Sequence, residues 1–489
     1  MLVPLLTSMF FVIFQPQSIM TQLLREKLND SPTARWTALV IVAITMMLGY
    51  FVAKEMSPLE DLLELPTSQG GLGWTSSEYG FFAGSRSFFN VFFFMLFIGG
   101  LILDRMGVRF TGLLSCSLMV AGVGVNYYAI EFMSPQPTTF VDIPLIGSYL
   151  GLNNAYIKNQ VLTAAMGFAI FGVGYEMCGI TVSKVMVKWF TGHEMALAMG
   201  IQVAMARFGT GAALLCCHSL AQNYRLSTPI FFGLMSVCIG LMIYMVYCLL
   251  DVKFDRERAQ IHQTNDETSD NKEDEKFHFA DLFTTLRNPG FWLITLLCLL
   301  YYSALYPFLD FATKIMIYKY GVDPAFAGAI PSVLPFSTIV FTPLFGTLYD
   351  RKGQGATLMI LGTTLMTTVI FVFTLPINSS AVAIVLMVIL GLAFSLLPSA
   401  MWPSVPKIIP MKGLGTAYSI IFYIQNIGLI VVPMLVGKIN EENTVNGQVD
   451  FTPAMWIFTA IGAMAIVVAV SLFLLDKKKH YGLQQANIK

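Results

Sequence analysis

Two ionisable residues stand where a charge is least welcome. Glu176 and Arg207 fall near the middle of two successive apolar stretches, roughly 160–186 and 194–221. An ionisable group at mid-bilayer costs at least about 2.5–3.5 kcal/mol, so each needs a partner or a task. The two stretches are joined by the short turn Lys188-Trp-Phe-Thr-Gly-His193 and must run antiparallel, which brings both charges to nearly the same depth. One reading is a permanent buried ion pair, a weak stabiliser because desolvation offsets attraction. The reading favoured here gives each charge one end of a zwitterionic solute: the carboxylate takes an ammonium group and the guanidinium takes a carboxylate. Arg86 lies on an earlier stretch, about 6 Å outward of its middle at 1.5 Å per residue. It either faces the same space or snorkels toward the surface, and both readings stay open. Lys54 and Glu55 read as a rim pair, and Asp310 with Lys314 as an i,i+4 pair. His218 and the other histidines show no ligand spacing, so neither a metal nor a histidine proton relay is expected.

The stretches that carry these charges are membrane spans. The chain has 489 residues, of which 56% are hydrophobic and only 12% charged, against about 25% charged in soluble proteins. Mean hydropathy is +0.68. Formal net charge is zero, which gives no reason to expect a nucleic-acid partner. The 7 cysteines all lie in apolar stretches and form no metal-binding or redox pattern, so they read as small buried hydrophobes.

A helix needs about 20 apolar residues to cross the hydrocarbon core. Twelve stretches qualify: 36–57, 78–103, 108–132, 160–186, 194–221, 228–250, 289–318, 325–348, 355–375, 380–405, 413–437 and 451–475. None shows barrel alternation, and backbone groups in lipid need internal partners. The expected fold is therefore all-α, with twelve transmembrane helices in two six-helix halves, 36–250 and 289–475. Residues 1–35 form an N-terminal segment, 251–288 a solvated linker and 476–489 a tail. Residues 2–14 are apolar but too short to span; they read as an over-extended start or an interfacial anchor. A lateral helix is expected near 277–287, where FHFADLFTTLR has a helical apolar period. Lysines and arginines concentrate at the termini, the linker and the loops holding Arg105, Arg109, Lys184, Lys188, Arg351 and Lys407. Both termini are therefore expected to be cytoplasmic.

The halves repeat a loop. Gly100-Leu-Ile-Leu-Asp104-Arg105-Met-Gly107-Val-Arg109 closes the second span of the first half, and Gly346-Thr-Leu-Tyr-Asp350-Arg351-Lys-Gly353 closes the second span of the other. The glycines are expected to let helices approach closely. The aspartates are expected to accept from helix N-terminal amides or to pair with a basic residue, forming a latch that opens and closes during transport. The second copy ends Gly353-Gln-Gly without the final arginine, so its latch is expected to be weaker.

This repeated Gly-x3-Asp-Arg-x-Gly resembles the loop signature of the major facilitator superfamily, transporters of two six-helix halves. Longer strings resemble the lysosomal dipeptide uniporter branch of that superfamily. They are Lys188–Glu194 with Gly200–Gly209, Tyr301-Tyr302-Ser-Ala-Leu-Tyr306-Pro307-Phe, Leu397-Pro398-Ser-Ala-Met-Trp402-Pro403, and Gly415–Tyr418 running to Gln425-Asn426-Ile-Gly428. The resemblance implies that Arg207 binds a peptide carboxylate and Glu176 the amino group, in agreement with the depth argument. Tyr301, Tyr302, Trp402 and Gln425 are expected to line the cavity.

The function expected is alternating-access transport of a small zwitterion, most readily a dipeptide, as uniport or coupled to protons. The alternatives are an organic-anion or drug antiporter and a non-transporting membrane solute sensor. No enzyme chemistry and no cofactor is expected. The partners are the solute and membrane lipid, with no accessory protein named by the sequence and a monomer expected. Without an acidic dileucine sorting signal, a bacterial cell membrane is the expected location.

Overall fold

The computed structural model describes residues 31–143, 146–190, 195–264, 286–409, 414–445 and 448–486. The expected N-terminal anchor, His193 and nearly all of the expected lateral helix lie outside them.

The first half consists of α1 (Pro32–Glu55), α2 (Glu60–Glu64), α3 (Ser76–Ser85), α4 (Phe88–Phe92), α5 (Met95–Phe132), α6 (Ile146–Leu150), α7 (Asn159–Phe190), α8 (Met195–Asn223) and α9 (Thr228–Thr264). The second consists of α10 (Pro289–Tyr318), α11 (Pro324–Ala327), α12 (Ala329–Lys352), α13 (Gly355–Val372), α14 (Ser380–Ile408), α15 (Leu414–Glu442) and α16 (Thr452–Lys479). Two small antiparallel hairpins, β1 (Thr138–Val141) with β2 (Ala155–Lys158) and β3 (Thr444–Val445) with β4 (Gln448–Val449), lie between spans at one end. That end is called the far end here, and the opposite one, with the repeated loops, the loop end.

Local sequence sets the helix starts. Ser31 caps α1 by accepting from the Ala34 amide, with Pro32 in the first turn. Asn288 caps α10 in the same way ahead of Pro289. Thr75 and Glu78 form a reciprocal capping box on α3, which satisfies amide donors that the first turn leaves open.

Eleven described helical stretches are long and apolar enough to cross a membrane, and the span expected over 78–103 is not one continuous helix. It is divided into α3, α4 and the start of α5, with breaks at Arg86–Ser87 and Phe93–Phe94. Phe94 takes a left-handed backbone (φ 53°, ψ 32°) at the second break. The Asn90 amide donates to the Gly172 carbonyl of α7 at 3.3 Å, so a side chain of the broken span ties it to its neighbour. α5 then runs through the repeated loop into the third span, bending at Gly107 (φ 76°, ψ 176°).

The two closing glycines of the repeat share this role. Gly353 also has a positive φ of 71°, in a region that essentially only glycine enters. The expectation of close helix approach at the opening glycines is corrected: a Cβ on Gly100 or Gly346 would meet nothing within 4 Å. Gly107→Ala, also free of any steric neighbour, is expected to cost about 1–3 kcal/mol through backbone strain alone. Gly353→Ala should cost more, because its Cβ would stand 2.5 Å from the Gln484 carbonyl oxygen. Melting temperatures of the two variants in detergent check the order.

The tail supplies what the second loop lacks. The Gln354 and Gly355 amides donate to the Gln484 and Leu483 carbonyls at 3.0 and 2.9 Å, and Lys407 Nζ donates to the Gly482 and Gln485 carbonyls. In the first half the corresponding place is held by charge. Asp251 is fully buried and accepts from Trp189 Nε1 at 3.1 Å and from the Tyr247 hydroxyl at 2.9 Å. It pairs with Lys188 at 2.8 Å and with Arg109 at 3.8 Å. Asp251→Ala leaves the Trp189 and Tyr247 donors buried without that acceptor. A loss of about 1–3 kcal/mol is expected, read as a lowered melting temperature, with the Lys188–Asp255 and Arg109–Asp255 pairs at 2.7 and 3.2 Å remaining as ties.

Candidate functional site

Glycines on α7 hold Glu176 at the centre. A Cβ on Gly167 would stand 2.7 Å from the Gly122 carbonyl oxygen, one on Gly174 2.5 Å from that of Ser115, and one on Gly172 1.8 Å from that of Arg86. α7 is therefore pressed against α5 and against the broken span. The break places Arg86 beside Gly172, with its guanidinium 5.5 Å from the Tyr175 ring centroid. Glu176 lies one turn beyond Gly172 on the same face and within electrostatic range of Arg86. Arg86 thus points to the interior, which settles the choice left open by its sequence position.

Arg207 is positioned by close packing on both sides. A Cβ on Gly209 would stand 2.1 Å from the Met47 carbonyl oxygen of α1, and one on Gly211 2.8 Å from the Phe336 ring of α12. The Arg207 guanidinium reaches into the second half: Nη1 donates to the Tyr306 hydroxyl at 3.1 Å, and the group sits 4.7 Å from the Phe394 ring centroid. Arg207 and Glu176 form no ion pair with each other. Both are half-buried, and Tyr50 lies within electrostatic range of both while packing on Tyr175 at 4.8 Å.

The facing wall is aromatic. Tyr302 stacks on Tyr306 at 5.5 Å, Trp402 Nε1 donates to the Tyr302 hydroxyl at 3.4 Å, and Trp402 stacks on Phe422 at 5.0 Å. The Tyr418 hydroxyl donates to the Trp402 carbonyl. Gln425 is buried and its Oε1 accepts from Cys298 at 3.3 Å. Tyr301 is fully buried, and its hydroxyl is committed to the Ala393 carbonyl at 2.6 Å. Of the expected wall residues, Tyr302 and Trp402 share this cluster with Tyr306, whereas the Tyr301 hydroxyl and Gln425 Oε1 make their hydrogen bonds within the second half. Tyr50, Tyr175, Tyr306 and Phe394 were not singled out from the sequence, because an aromatic on a cavity wall has the same spacing as one in the core.

The far end is closed by charges that sequence reading had paired locally. Lys54 does not pair with Glu55. It forms an ion pair with Asp310 and donates to the Tyr306 carbonyl at 3.1 Å, and Ser57 Oγ donates to Asp310 at 2.8 Å. Both Glu55 carboxylate oxygens are buried without a hydrogen-bond partner, packed on Gly233 of α9. Lys314 does not pair with Asp310 either. It reaches Glu64 at 2.6 Å and Glu60 at 3.1 Å, with Ser76 Oγ at 2.8 Å. His218 is held by Asp61, Nε2 to Oδ2, at 3.1 Å. Behind these pairs α3 packs directly on α15: a Cβ on Gly80 would stand 2.4 Å from the Pro433 carbonyl oxygen, and one on Gly437 2.3 Å from that of Ser76.

The repeated loop makes a different contact from these. Asp104 pairs with Lys184 of α7 at 2.6 Å, within its own half, and both side chains are exposed. Such a pair contributes about 0–1 kcal/mol. Among the described residues, every ion pair between the halves lies at the far end, and none ties them at the loop end. Arg105 and Arg351 are exposed, and Asp350 is engaged.

The sequence profile of the family described as Major Facilitator Superfamily matches residues 62–433. The lysosomal dipeptide transporter MFSD1 of Danio rerio is 29% identical over 399 residues, which cover 80% of this chain and 77% of that one. Solved structures share the fold at low identity. A mutant of the nucleoside transporter NupG gives a TM-score of 0.65 at 12% identity, covering 89% of this chain and 100% of that one. A mutant of the peptide transporter POT in complex with alafosfalin gives 0.64 at 14% identity, covering 92% and 96%. One is a nucleoside transporter and the other a peptide transporter, so the shared fold does not choose the cargo.

Proposed function

The chain belongs to the major facilitator superfamily, and from that premise we propose that it carries a small zwitterion, dipeptides foremost, across the membrane by alternating access. It is an integral multi-pass membrane protein and not an enzyme. The observation that carries the reading is the pair of opposite charges, Glu176 and Arg207, both half-buried, both within electrostatic range of Tyr50 and forming no ion pair with each other. A dipeptide brings the complement of both: its carboxylate fits the planar guanidinium, and its ammonium fits Glu176. The aromatic wall of Tyr302, Tyr306 and Trp402 faces the solute's side chains. The dipeptide named for the relative agrees with this charge pattern.

On this reading both termini are cytoplasmic and the conformation faces inward: the Lys54 and Lys314 clusters shut the outside, and among the described residues no ion pair joins the halves at the loop end. The Asp104 and Asp350 loops act in the gate at that end, Asp104 by holding α5 to α7.

Uptake of labelled dipeptides into proteoliposomes tests the proposal. Saturable uptake of neutral dipeptides is the expected result, and no uptake across a panel of neutral, acidic and basic dipeptides would overturn it. Alkalinisation of the outside medium during uptake separates proton symport from facilitated diffusion. Arg86 favours a second reading, an organic-anion exchanger, because the site then holds two guanidinium groups and one carboxylate. Competition by acetate-like anions lacking an amine distinguishes it: such anions should compete poorly with a dipeptide if Glu176 takes the ammonium.

A further inference from the structure

Tyr306 joins the solute site to the far-end closure. Its hydroxyl accepts the one hydrogen bond that the Arg207 side chain makes among the described residues, at 3.1 Å. Its backbone carbonyl accepts from Lys54 Nζ, also at 3.1 Å, and that ammonium stands 5.7 Å from its ring centroid. One turn further along α10, Asp310 receives the same ammonium and the Ser57 hydroxyl, and its own carbonyl accepts from the Tyr79 hydroxyl at 3.1 Å. One residue therefore touches the guanidinium of the site with its side chain and the lysine of the closure with its backbone.

The turn that carries it is built to give. Pro307 follows immediately, inside α10. A proline within a helix removes one backbone donor and crowds the carbonyl four residues before it, here that of Ser303. The Ser303 hydroxyl is buried without a partner, so no side-chain bond there stiffens the turn.

We propose that Tyr306 is the coupling residue of the transport cycle: in the empty site its hydroxyl occupies the place on Arg207 that a solute carboxylate oxygen takes, and its displacement loosens the Lys54–Asp310 closure. This rests on the reading of Arg207 as the carboxylate site. A charge-assisted bond from guanidinium to carboxylate is about twice as strong as one to a neutral hydroxyl, so a carboxylate displaces the phenol. A ligand shifts a conformational equilibrium only through a difference in its interaction with the two states. The displaced hydroxyl provides that difference, because a solute that frees Tyr306 also frees the carbonyl and the turn that hold Lys54. Tyr306 acts here through its neighbours and is a positioning residue.

The test compares binding with turnover in Tyr306→Phe, which keeps the ring stacked on Tyr302 and keeps the carbonyl to Lys54. Dialanine affinity, from ligand-induced stabilisation in detergent, is expected to equal or exceed that of the unaltered protein, since Arg207 no longer has to release the phenol. Uptake at saturating dialanine is expected to fall at least tenfold. Asp310→Asn, which leaves Arg207 and Tyr306 in place, should show the same split. A hydroxyl with a merely structural role would lower affinity and rate together. If the unaltered protein binds and transports dialanine and Tyr306→Phe keeps its rate, or loses rate and affinity in parallel, this inference falls alone. If the unaltered protein neither binds nor transports dialanine, the function proposed above falls with it.

Discussion

Arg207→Ala should reduce dipeptide uptake at least a hundredfold while leaving the protein folded. The guanidinium is half-buried and spans from α8 to Tyr306 and Phe394 of the second half, so its loss removes both the carboxylate ligand and one contact between the halves. A charge-assisted hydrogen bond contributes about 1.5–3 kcal/mol, and a bidentate guanidinium–carboxylate contact makes two of them, which together exceed the roughly 2.7 kcal/mol that a hundredfold change requires. Arg207→Lys should recover only part of the loss, because an ammonium cannot make the bidentate contact. Initial uptake rates in proteoliposomes across a concentration series check this. The effect should fall mainly on the concentration giving half-maximal rate. Uptake by Arg207→Ala at the unaltered rate would remove the proposed carboxylate role.

Lys314→Ala should have the other large effect, on conformation and not on affinity. Lys314 is almost fully buried and is shared by Glu60, which is equally buried, and by Glu64. Breaking a buried ion pair by removing one partner costs about 3–5 kcal/mol, and here the penalty applies only to the state in which the far end is shut. In the opposite state the two carboxylates can reach water. A bias of that size shifts a two-state population by roughly two to four orders of magnitude. The variant is therefore expected to rest with its far end open. Ser77→Cys placed in this background should react with a membrane-impermeant maleimide at least tenfold faster than Ser77→Cys alone, because Ser77 sits at the seam where its amide donates to Glu441 of α15. Equal labelling rates would show that the Lys314 cluster does not hold the seam.

The spans were legible because hydropathy is a local signal, and so were the two lone charges set within them. Hydropathy windows reveal the apolar runs, the repeat of Gly-x3-Asp-Arg-x-Gly marks the two halves, and a lone charge in a long apolar run is visible without any partner. The closing glycine of each repeat was visible as well, although its role is a backbone conformation at Gly107 and Gly353 and the opening glycines make no close approach. What stayed hidden is set by distance along the chain. Lys314 and Glu60 are 254 positions apart, and Lys54 and Asp310 are 256 apart, so the nearest opposite charge in sequence was the wrong partner in both cases. The broken span escaped for a different reason. An average over twenty residues does not register two short interruptions in a run as apolar as Phe88–Ile98, yet the interruption at Arg86 is what turns that side chain toward Glu176. Tyr306 escaped because nothing in its spacing separates it from Tyr301, whose hydroxyl is spent on the Ala393 carbonyl.

The repeated loop makes only a weak tie. Asp104–Lys184 is exposed and lies inside one half, whereas the pairs that cross between halves are buried. Under the proposed cycle, control of access in this conformation rests with α1, α2 and α10 at the far end, where the ion pairs between the described parts of the halves lie, and the repeated loop holds α5 to α7.

The central claim is that one solute bears both charges the site leaves unpaired. Competition against uptake of labelled dialanine tests it most directly, using unlabelled dialanine, its N-acetyl derivative and its C-terminal amide. Dialanine is expected to compete fully and each capped form at least tenfold less well, the N-acetyl form through loss of the Glu176 contact and the amide through loss of the Arg207 contact. Equal competition by all three would contradict it.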